Sequence, residues 1–259
     1  MSKLTRLSRS IQGKVALITG AGSGMGKATS FVFAEAGAKV IVSDVNKEEI
    51  NKVSSKINSS KGISIKQVLD VTNQENINTS ISNVIKEFGQ LDMLINNAGI
   101  SIPTSIDDKN YEQNWDKTFD VLLKGQVNLI RAALPFLRKS DCGRIVNISS
   151  TEGFGATPRI SPYTAAKHGV IGLTRSLASE LGSEGITVNC ICPGPINTSM
   201  TEAIPEKDKQ VYSRRRVPLK RYGEPEEVAH MTLSLCLPAA SFVNGAVLPV
   251  DGGLSIKRA

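Results

Sequence analysis

Thr19-Gly20-Ala21-Gly22-Ser23-Gly24-Met25-Gly26 follows an aliphatic run, Lys14–Thr19, and leads into a helical pattern, Lys27–Ala36. That order reads as strand, glycine turn, helix. Gly20 lets the chain turn sharply. Gly24 removes a side chain where a ligand would approach the backbone, and Gly26 lets the helix lie close to its strand. The helix N-terminus offers free N–H groups and the positive end of its dipole, which suits a phosphate. In this strand–turn–helix context the glycines predict a site for the pyrophosphate of a dinucleotide.

The same alternation runs outward from the turn. Further strands are expected at Lys39–Asp44, Ile63–Asp70, Asp92–Asn97, Gly143–Ser150, Thr187–Pro193 and Gly245–Val250, several nearly continuous in Val and Ile. Strands apolar on both faces belong inside a parallel sheet covered by helices. Helical patterns occupy Glu75–Phe88, Asn114–Leu137, Tyr163–Leu181 and Pro225–Leu235, the last opening on Pro-Glu-Glu, a good first turn. Seven strands with helices between them predict an α/β fold with a doubly wound seven-stranded parallel sheet and right-handed crossovers. No linker or repeat divides the chain, so a single domain is expected. Residues 198–221 break the alternation, being charged and weakly patterned. They follow a strand's carboxyl end, the edge where open α/β sheets bind ligands.

Composition narrows the function classes. The chain has 259 residues, 40% hydrophobic and 21% charged, with a formal net charge of +7. These are ordinary values for a globular protein large enough to need no disulfide or metal staple. No apolar run is long enough to span a membrane, and the basic start MSKLTRLSRS lacks the apolar core of a signal peptide. Much of the positive charge lies in residues 1–14 and in 205–221, where Lys207, Lys209, Arg214, Arg215, Arg216, Lys220 and Arg221 face only Glu206 and Asp208. With 5% aromatics, stacking of nucleic-acid bases has little support. Neither nucleic acid nor a membrane is expected as a partner. Cys142, Cys190, Cys192 and Cys236 have neither redox nor zinc spacing, and His168 and His230 stand far apart. Buried reduced thiols, a cytoplasmic location and no metal are expected.

Three further residue sets carry chemistry. Asp44 ends the second strand, where a carboxylate can accept hydrogen bonds from both ribose hydroxyls and repel a 2′-phosphate. No arginine occupies Ser43 or Val45, which favours NAD over NADP. Tyr163 and Lys167 stand at i and i+4, on one face of a helix. A phenol with a pKa of about 10 is a poor acid or base near neutrality. A nearby ammonium lowers that pKa, so Lys167 is expected to tune Tyr163 for proton transfer. Ser150 closes the fifth strand, where its hydroxyl could hold a substrate oxygen.

In that order these residues resemble the short-chain dehydrogenase/reductase family over nearly the whole of Lys14–Gly253. The resemblance implies a Rossmann-type fold. It also implies hydride transfer between a nicotinamide and a secondary alcohol or ketone, with Ser150, Tyr163 and Lys167 catalytic. Tyr163 would move the proton, Lys167 would lower its pKa and hold the ribose, and Ser150 would polarise the carbonyl. The family's glycine turn matches Thr19–Gly26, giving Gly20, Ser23, Gly24, Met25 and Gly26 to the cofactor beside Asp44. Its adenine-side Asp matches Asp70, with Val71. Its Asn-Asn-Ala-Gly motif matches Asn96–Gly99, adding Asn97, Ala98 and Gly99. Its Pro-Gly motif matches Pro193 and Gly194, with Ile196 and Thr198 placed at the nicotinamide amide. Arg221–Ala229 and Val250–Gly253 match further patterns. The expected layout is a basic extension, 1–12, and an oxidoreductase domain, 13–259, with a substrate lid at about 198–221.

One position departs from the family. Its long fourth helix usually carries an Asn, thought to hold a water that links the Lys to solvent. Leu122 stands there, in Val121-Leu122-Leu123-Lys124-Gly125, and leucine cannot hydrogen-bond water. Three functions follow as expectations. The first is an NAD-dependent dehydrogenase or reductase of a small alcohol or ketone. The second is a reductase of 3-oxoacyl-(acyl-carrier-protein) or 3-oxoacyl-CoA, whose anionic carrier could meet Arg214, Arg215 and Arg216. The third, favoured only by Leu122, is a cofactor-binding protein with weak catalysis. The family also implies a homotetramer.

Overall fold

Val15, Ala16, Leu17, Ile18 and Thr19 are all buried, as a strand covered on both faces must be. In the computed structural model, which describes residues 6–257, they form β1 (Val15–Thr19), an interior strand of one sheet. The other strands are β2 (Lys39–Asp44), β3 (Ile63–Val68), β4 (Met93–Asn96), β5 (Arg144–Ile148), β6 (Thr187–Pro193) and β7 (Val247–Val250). All seven run parallel, in the order β3-β2-β1-β4-β5-β6-β7. The doubly wound Rossmann-type sheet expected from the sequence is therefore present. Residues 1–5 of the expected N-terminal extension lie outside the described residues. Of its remainder, Ile11 is fully buried and the Ser8 carbonyl accepts a hydrogen bond from Ala239 N–H at 2.8 Å.

Nine α-helices are described: α1 (Gly24–Glu35), α2 (Lys47–Ser59), α3 (Gln74–Phe88), α4 (Tyr111–Phe119), α5 (Gly125–Leu137), α6 (Ser161–Leu181), α7 (Ser199–Glu202), α8 (Glu206–Arg216) and α9 (Pro225–Cys236). They divide the core between the two faces of the sheet. On one face Phe33 of α1, Ile50 and Val53 of α2 and Val228 and Leu235 of α9 pack over Ile18, Val40 and Ile95. On the other face Ile77 and Val84 of α3, Leu129 and Ala133 of α5 and Ala178 of α6 pack over Leu17, Ile41 and Leu94.

Several details depart from the sequence reading. α1 begins at Gly24 rather than Lys27, so the last glycines of the turn lie inside its first turn. The helix expected over Asn114–Leu137 starts at Tyr111 and is interrupted at Asp120–Lys124 by a π-helical turn. α2 had no counterpart among the expected helices, and the weakly patterned region after β6 contains α7 and α8. All four cysteines are free and buried.

The topology fixes where a ligand enters. β1 pairs with β2 on one side and β4 on the other, so the loops after β1 and β4 leave in opposite directions and open a crevice. Asn97 holds that crevice in shape. Its side-chain N–H group donates to the carbonyls of Thr19 at 2.8 Å and Gly20 at 3.1 Å, while Thr19 Oγ1 accepts from the N–H groups of Asn97 and Ala98, both at 3.0 Å.

Candidate active site

The glycine turn is built for close approach. A Cβ on Gly26 would lie 2.1 Å from the Gly20 carbonyl oxygen, so only glycine lets α1 start this near its strand. Gly20 and Gly24 have φ of +63° and +50°, the left-handed region that glycine enters without strain. Ser23 precedes α1 but its side chain makes no capping hydrogen bond. The first N–H groups of the helix thus lack both an intrahelical and a side-chain acceptor. They stand at a cavity of about 260 Å³ whose lining includes Gly20, Ser23, Gly24, Met25 and Asp44. An uncapped helix start in a glycine cradle fits an anionic group.

Asp44 sits beside the turn, its Oδ2 accepting from Gly22 N–H at 3.1 Å and its Oδ1 from Asn46 N–H at 3.0 Å. These bonds fix the carboxylate at the rim. This end of the cavity thus offers free N–H donors to an anionic group and a fixed carboxylate to hydroxyl donors, a donor and acceptor set that suits a nucleotide.

The other end holds titratable groups. Tyr163 and Lys167 stand in the first two turns of α6 and both line the cavity. Lys167 is buried and donates to the Ile148 carbonyl at 2.8 Å, with its ammonium 5.5 Å from the centre of the Tyr163 ring. The buried Ser149 hydroxyl donates to the Lys167 carbonyl at 2.8 Å, tying the end of β5 to α6. Next in the chain, Ser150 Oγ accepts from Glu152 N–H at 3.2 Å and begins a short turn, Thr151–Gly153. A Cβ on Gly153 would meet Ile171 at 2.6 Å and Ser149 Oγ at 2.9 Å, so glycine lets this turn press against α6.

The electrostatics reverse one expectation. Loss of solvation pushes the Tyr163 phenol up to about 12, with the Ser150 hydroxyl pulling the other way and Glu152 and Cys192 adding to the rise. Burial also pushes Lys167 down, to about 8. The sequence reading had the ammonium make the phenol more acidic. In the folded chain desolvation is the larger influence, because both groups leave water together.

Not every expected residue reaches the cavity wall. Gly20, Ser23, Gly24, Met25, Asp44, Asn97, Gly99, Tyr163, Lys167 and Thr198 line it. Gly26, Ala98, Ser150, Pro193, Gly194 and Ile196 are not among the residues that line it. Ile196 is buried in the core, and a Cβ on Gly194 would lie 2.7 Å from Asp251. Asp70 is exposed, its Oδ1 taken by the N–H and O–H of Thr72 at 2.9 and 2.8 Å. Val71 is buried, against the position a Cβ on Gly125 would take. Neither lines the cavity. Ile100, Ile148, Ser149, Ser199 and Met200 line it without having been singled out. Each adjoins an expected residue or motif, which was the available signal. Leu122, marked only as a departure, lines it too.

The segment after β6 reaches the glycine turn. Ser199 Oγ lies 3.3 Å from Ser23 Oγ, and a Cβ on Gly24 would meet Thr198 at 3.2 Å. The far end of the segment is anchored by Arg221, whose guanidinium donates two bonds of 2.7 Å to Glu227 at the start of α9. That pairing holds the Glu227 carboxyl at about 2. A larger hollow of about 700 Å³ between α1 and α9 holds neither Tyr163 nor Lys167. Among the described residues no group of His, Cys, Asp and Glu is arranged to hold a metal ion, and no helix is long and apolar enough to cross a membrane.

Comparison with known proteins places this geometry. A family model described as enoyl-(acyl carrier protein) reductase matches residues 20–255. The chain is 41% identical over 246 residues to a 3-oxoacyl-(acyl-carrier-protein) reductase of Thermotoga maritima, covering 95% of this chain and 99% of the relative. It is 38% identical to a short chain dehydrogenase/reductase of Aspergillus oryzae, covering 95% and 97%. It is 36% identical to the meso-2,3-butanediol dehydrogenase of Serratia marcescens, covering 93% and 94%. A crystal structure of a protein of Agrobacterium tumefaciens assigned as a gluconate dehydrogenase superposes with a TM-score of 0.92 at 29% identity, covering 98% of this chain and 100% of that one.

Proposed function

We propose, from the premise that this chain belongs to the short-chain dehydrogenase/reductase family, that it interconverts a secondary alcohol and a ketone with NAD(H) as its preferred coenzyme. The observation that carries the reading is the shared cavity: Tyr163 and Lys167 line the same hollow as the glycine turn and Asp44. The nicotinamide, when bound, supplies or accepts the hydride. The chain's own residues do the rest. Gly20, Ser23, Gly24 and Met25, with Gly26 behind them, hold the pyrophosphate. Asp44 accepts from the ribose hydroxyls and would repel a 2′-phosphate, which is the basis for the NAD preference. Asp70 and Val71 border the adenine side. Asn97 and Gly99 line the middle with Ala98 between them, and Ile196 and Thr198, which follow Pro193 and Gly194, orient the nicotinamide amide.

Tyr163 gives its phenolic proton to the carbonyl oxygen in reduction and takes it back in oxidation. Ser150 donates a hydrogen bond to the same oxygen. Lys167 keeps a positive charge beside the phenol. The test is Tyr163→Phe, which removes the acid and leaves the ring. NADH should still bind, by fluorescence titration, while ketone reduction falls by on the order of a hundredfold or more. In the parent enzyme kcat/KM with NADH should exceed that with NADPH. Turnover retained by the Phe variant would overturn the role of Tyr163, and a preference for NADPH would overturn that of Asp44.

A second reading has its own support. Arg214, Arg215 and Arg216 end α8 in the lid, are exposed, and have no carboxylate within ion-pair reach among the described residues. A 3-oxoacyl thioester on an anionic carrier would meet them. Relatives named as a 3-oxoacyl-(acyl-carrier-protein) reductase and a (2S)-[(R)-hydroxy(phenyl)methyl]succinyl-CoA dehydrogenase subunit agree with that chemistry. Steady-state rates with 3-oxoacyl thioesters and with free ketones distinguish the two. We further place the enzyme in the cytoplasm as a homotetramer, with 198–221 as the lid of a 13–259 domain. The four free thiols fit a reducing compartment.

A further inference from the structure

Glu152 stands two residues after Ser150, and none of the roles above uses it. Its carboxylate accepts three hydrogen bonds. Oε2 accepts from Thr157 N–H at 2.9 Å and from Thr164 O–H at 3.1 Å, and Oε1 accepts from Thr157 O–H at 2.7 Å. Thr164 is the residue after Tyr163, in the first turn of α6. Thr157 lies in the exposed connection that joins the Ser150 turn to that helix. One side chain therefore joins three pieces: the turn of Ser150, the connection, and the helical turn of Tyr163. The connection is pinned again near its far end, where Thr104 N–H donates to the Arg159 carbonyl at 2.6 Å. Arg159 itself has φ of +67°, a conformation that a non-glycine residue keeps only when its surroundings enforce it.

A carboxylate on a surface connection is ordinarily solvated and bonds little. Here three donors from its own chain take up both oxygens, so it is committed internally rather than offered to a substrate. Tyr163 and Ser150 must both point at one substrate oxygen, and errors of about 1 Å in such placement cost up to about a hundredfold in rate.

We propose that Glu152 is a positioning residue: through Thr157 and Thr164 it locks the Ser150 turn to the start of α6, so that the Ser150 and Tyr163 hydroxyls converge on the substrate oxygen. This rests on the acid/base role given above to Tyr163.

The charge of Glu152 has a second effect. The titratable and polar groups facing the phenol are Ser150 and Glu152 from the turn after β5, Cys192 from β6 and Lys167 from α6 itself. Among them Glu152 opposes formation of the phenolate, since two negative charges would then face each other. Removing its charge favours the phenolate and moves the pKa of the phenol down.

Three variants separate the two effects. Glu152→Ala should lower kcat for ketone reduction by about tenfold, leave the NADH dissociation constant within about twofold, and move the rise of alcohol oxidation with pH, which follows the phenolate, to lower pH. Glu152→Gln keeps an acceptor oxygen without the charge, so it should recover part of kcat yet show the same shift. Thr164→Val keeps the charge and breaks the tie to the helix, so it should lower kcat with no such shift. A purely structural staple would lower the melting temperature and leave kcat and the pH profile at parent values well below that temperature. That result in the Ala and Val variants overturns the proposal. If Tyr163→Phe keeps its turnover, the acid/base assignment fails instead.

Discussion

Lys167 carries a cost that its function explains. An ammonium with a pKa near 8 when folded and 10.5 when exposed binds its proton less tightly inside than in the unfolded chain. At pH 7 it is protonated in both states, and the difference destabilises the fold by about 3 kcal/mol. Because the folded pKa is the lower one, this cost is fully present below pH 8 and is relieved as pH rises toward 10.5. Lys167→Met should therefore raise the melting temperature at pH 7 while abolishing turnover. A melting temperature that falls would show that the bond to the Ile148 carbonyl outweighs the desolvation. The pH dependence follows with it. Tyr163 stays a phenol through neutrality, so reduction should proceed there and decline above about 8 as Lys167 loses its charge, while oxidation, which needs the phenolate, climbs with pH. Initial rates in both directions between pH 6 and pH 10 test this. At this scale the sequence already shows which side chains matter, because i and i+4 on a helix is a geometric statement. It does not show the direction of the phenol's shift, because burial is decided by the packing of β5, β6 and α6 together.

Elements were legible where their faces are strongly apolar. β1, β2 and β6 match the sequence reading within a residue because Val and Ile on both faces leave no other place for them. α2 is hard to read from the sequence because KEEINKVSSKINS is mostly polar and reaches the core mainly through Ile50, Val53 and Ile57. α8 buries only Ser213; its order comes from acidic residues in the first turn and basic ones in the last, which match the helix dipole. The π-helical turn at Asp120–Lys124 has no signature in the sequence. An extra residue in a helical turn is stabilised by packing, and such turns gather at functional sites. This one presents Leu122, fully buried, to the cavity and to Gly99. The only acceptor for Lys167 among the described residues is the Ile148 carbonyl, so an amide at position 122 could hold a water near the ammonium. Leu122→Asn should thus keep or raise kcat while lowering stability by about 2–3 kcal/mol for the lost apolar contacts. Steady-state rates well below the melting point, with a thermal melt beside them, test both halves. A large loss of kcat would mean that the pocket is shaped around leucine.

At the scale of the whole molecule the question is what covers the end of the sheet. β7 is an edge strand of four residues with Pro249 in it, a composition that discourages further strand pairing. The segment before it nevertheless holds Phe242 at 102% exposure and Val243 at 38%, and Leu219 and Ile256 are also largely exposed. Scattered single apolar residues need no explanation, but a phenylalanine standing wholly in water beside a sheet edge suits a protein–protein contact. α4 adds a second candidate surface, with Trp115 and Phe119 stacked at 4.5 Å and only partly buried. Two distinct surfaces are what a tetramer of paired two-fold contacts requires. The expected outcome is a mass of four chains by light scattering, falling to two chains in Phe242→Asp, with the remaining pair held through α4 and α5. A parent protein that runs as a single chain at micromolar concentration would remove the premise. A Phe242→Asp variant that stays tetrameric would move the contact away from the β7 edge.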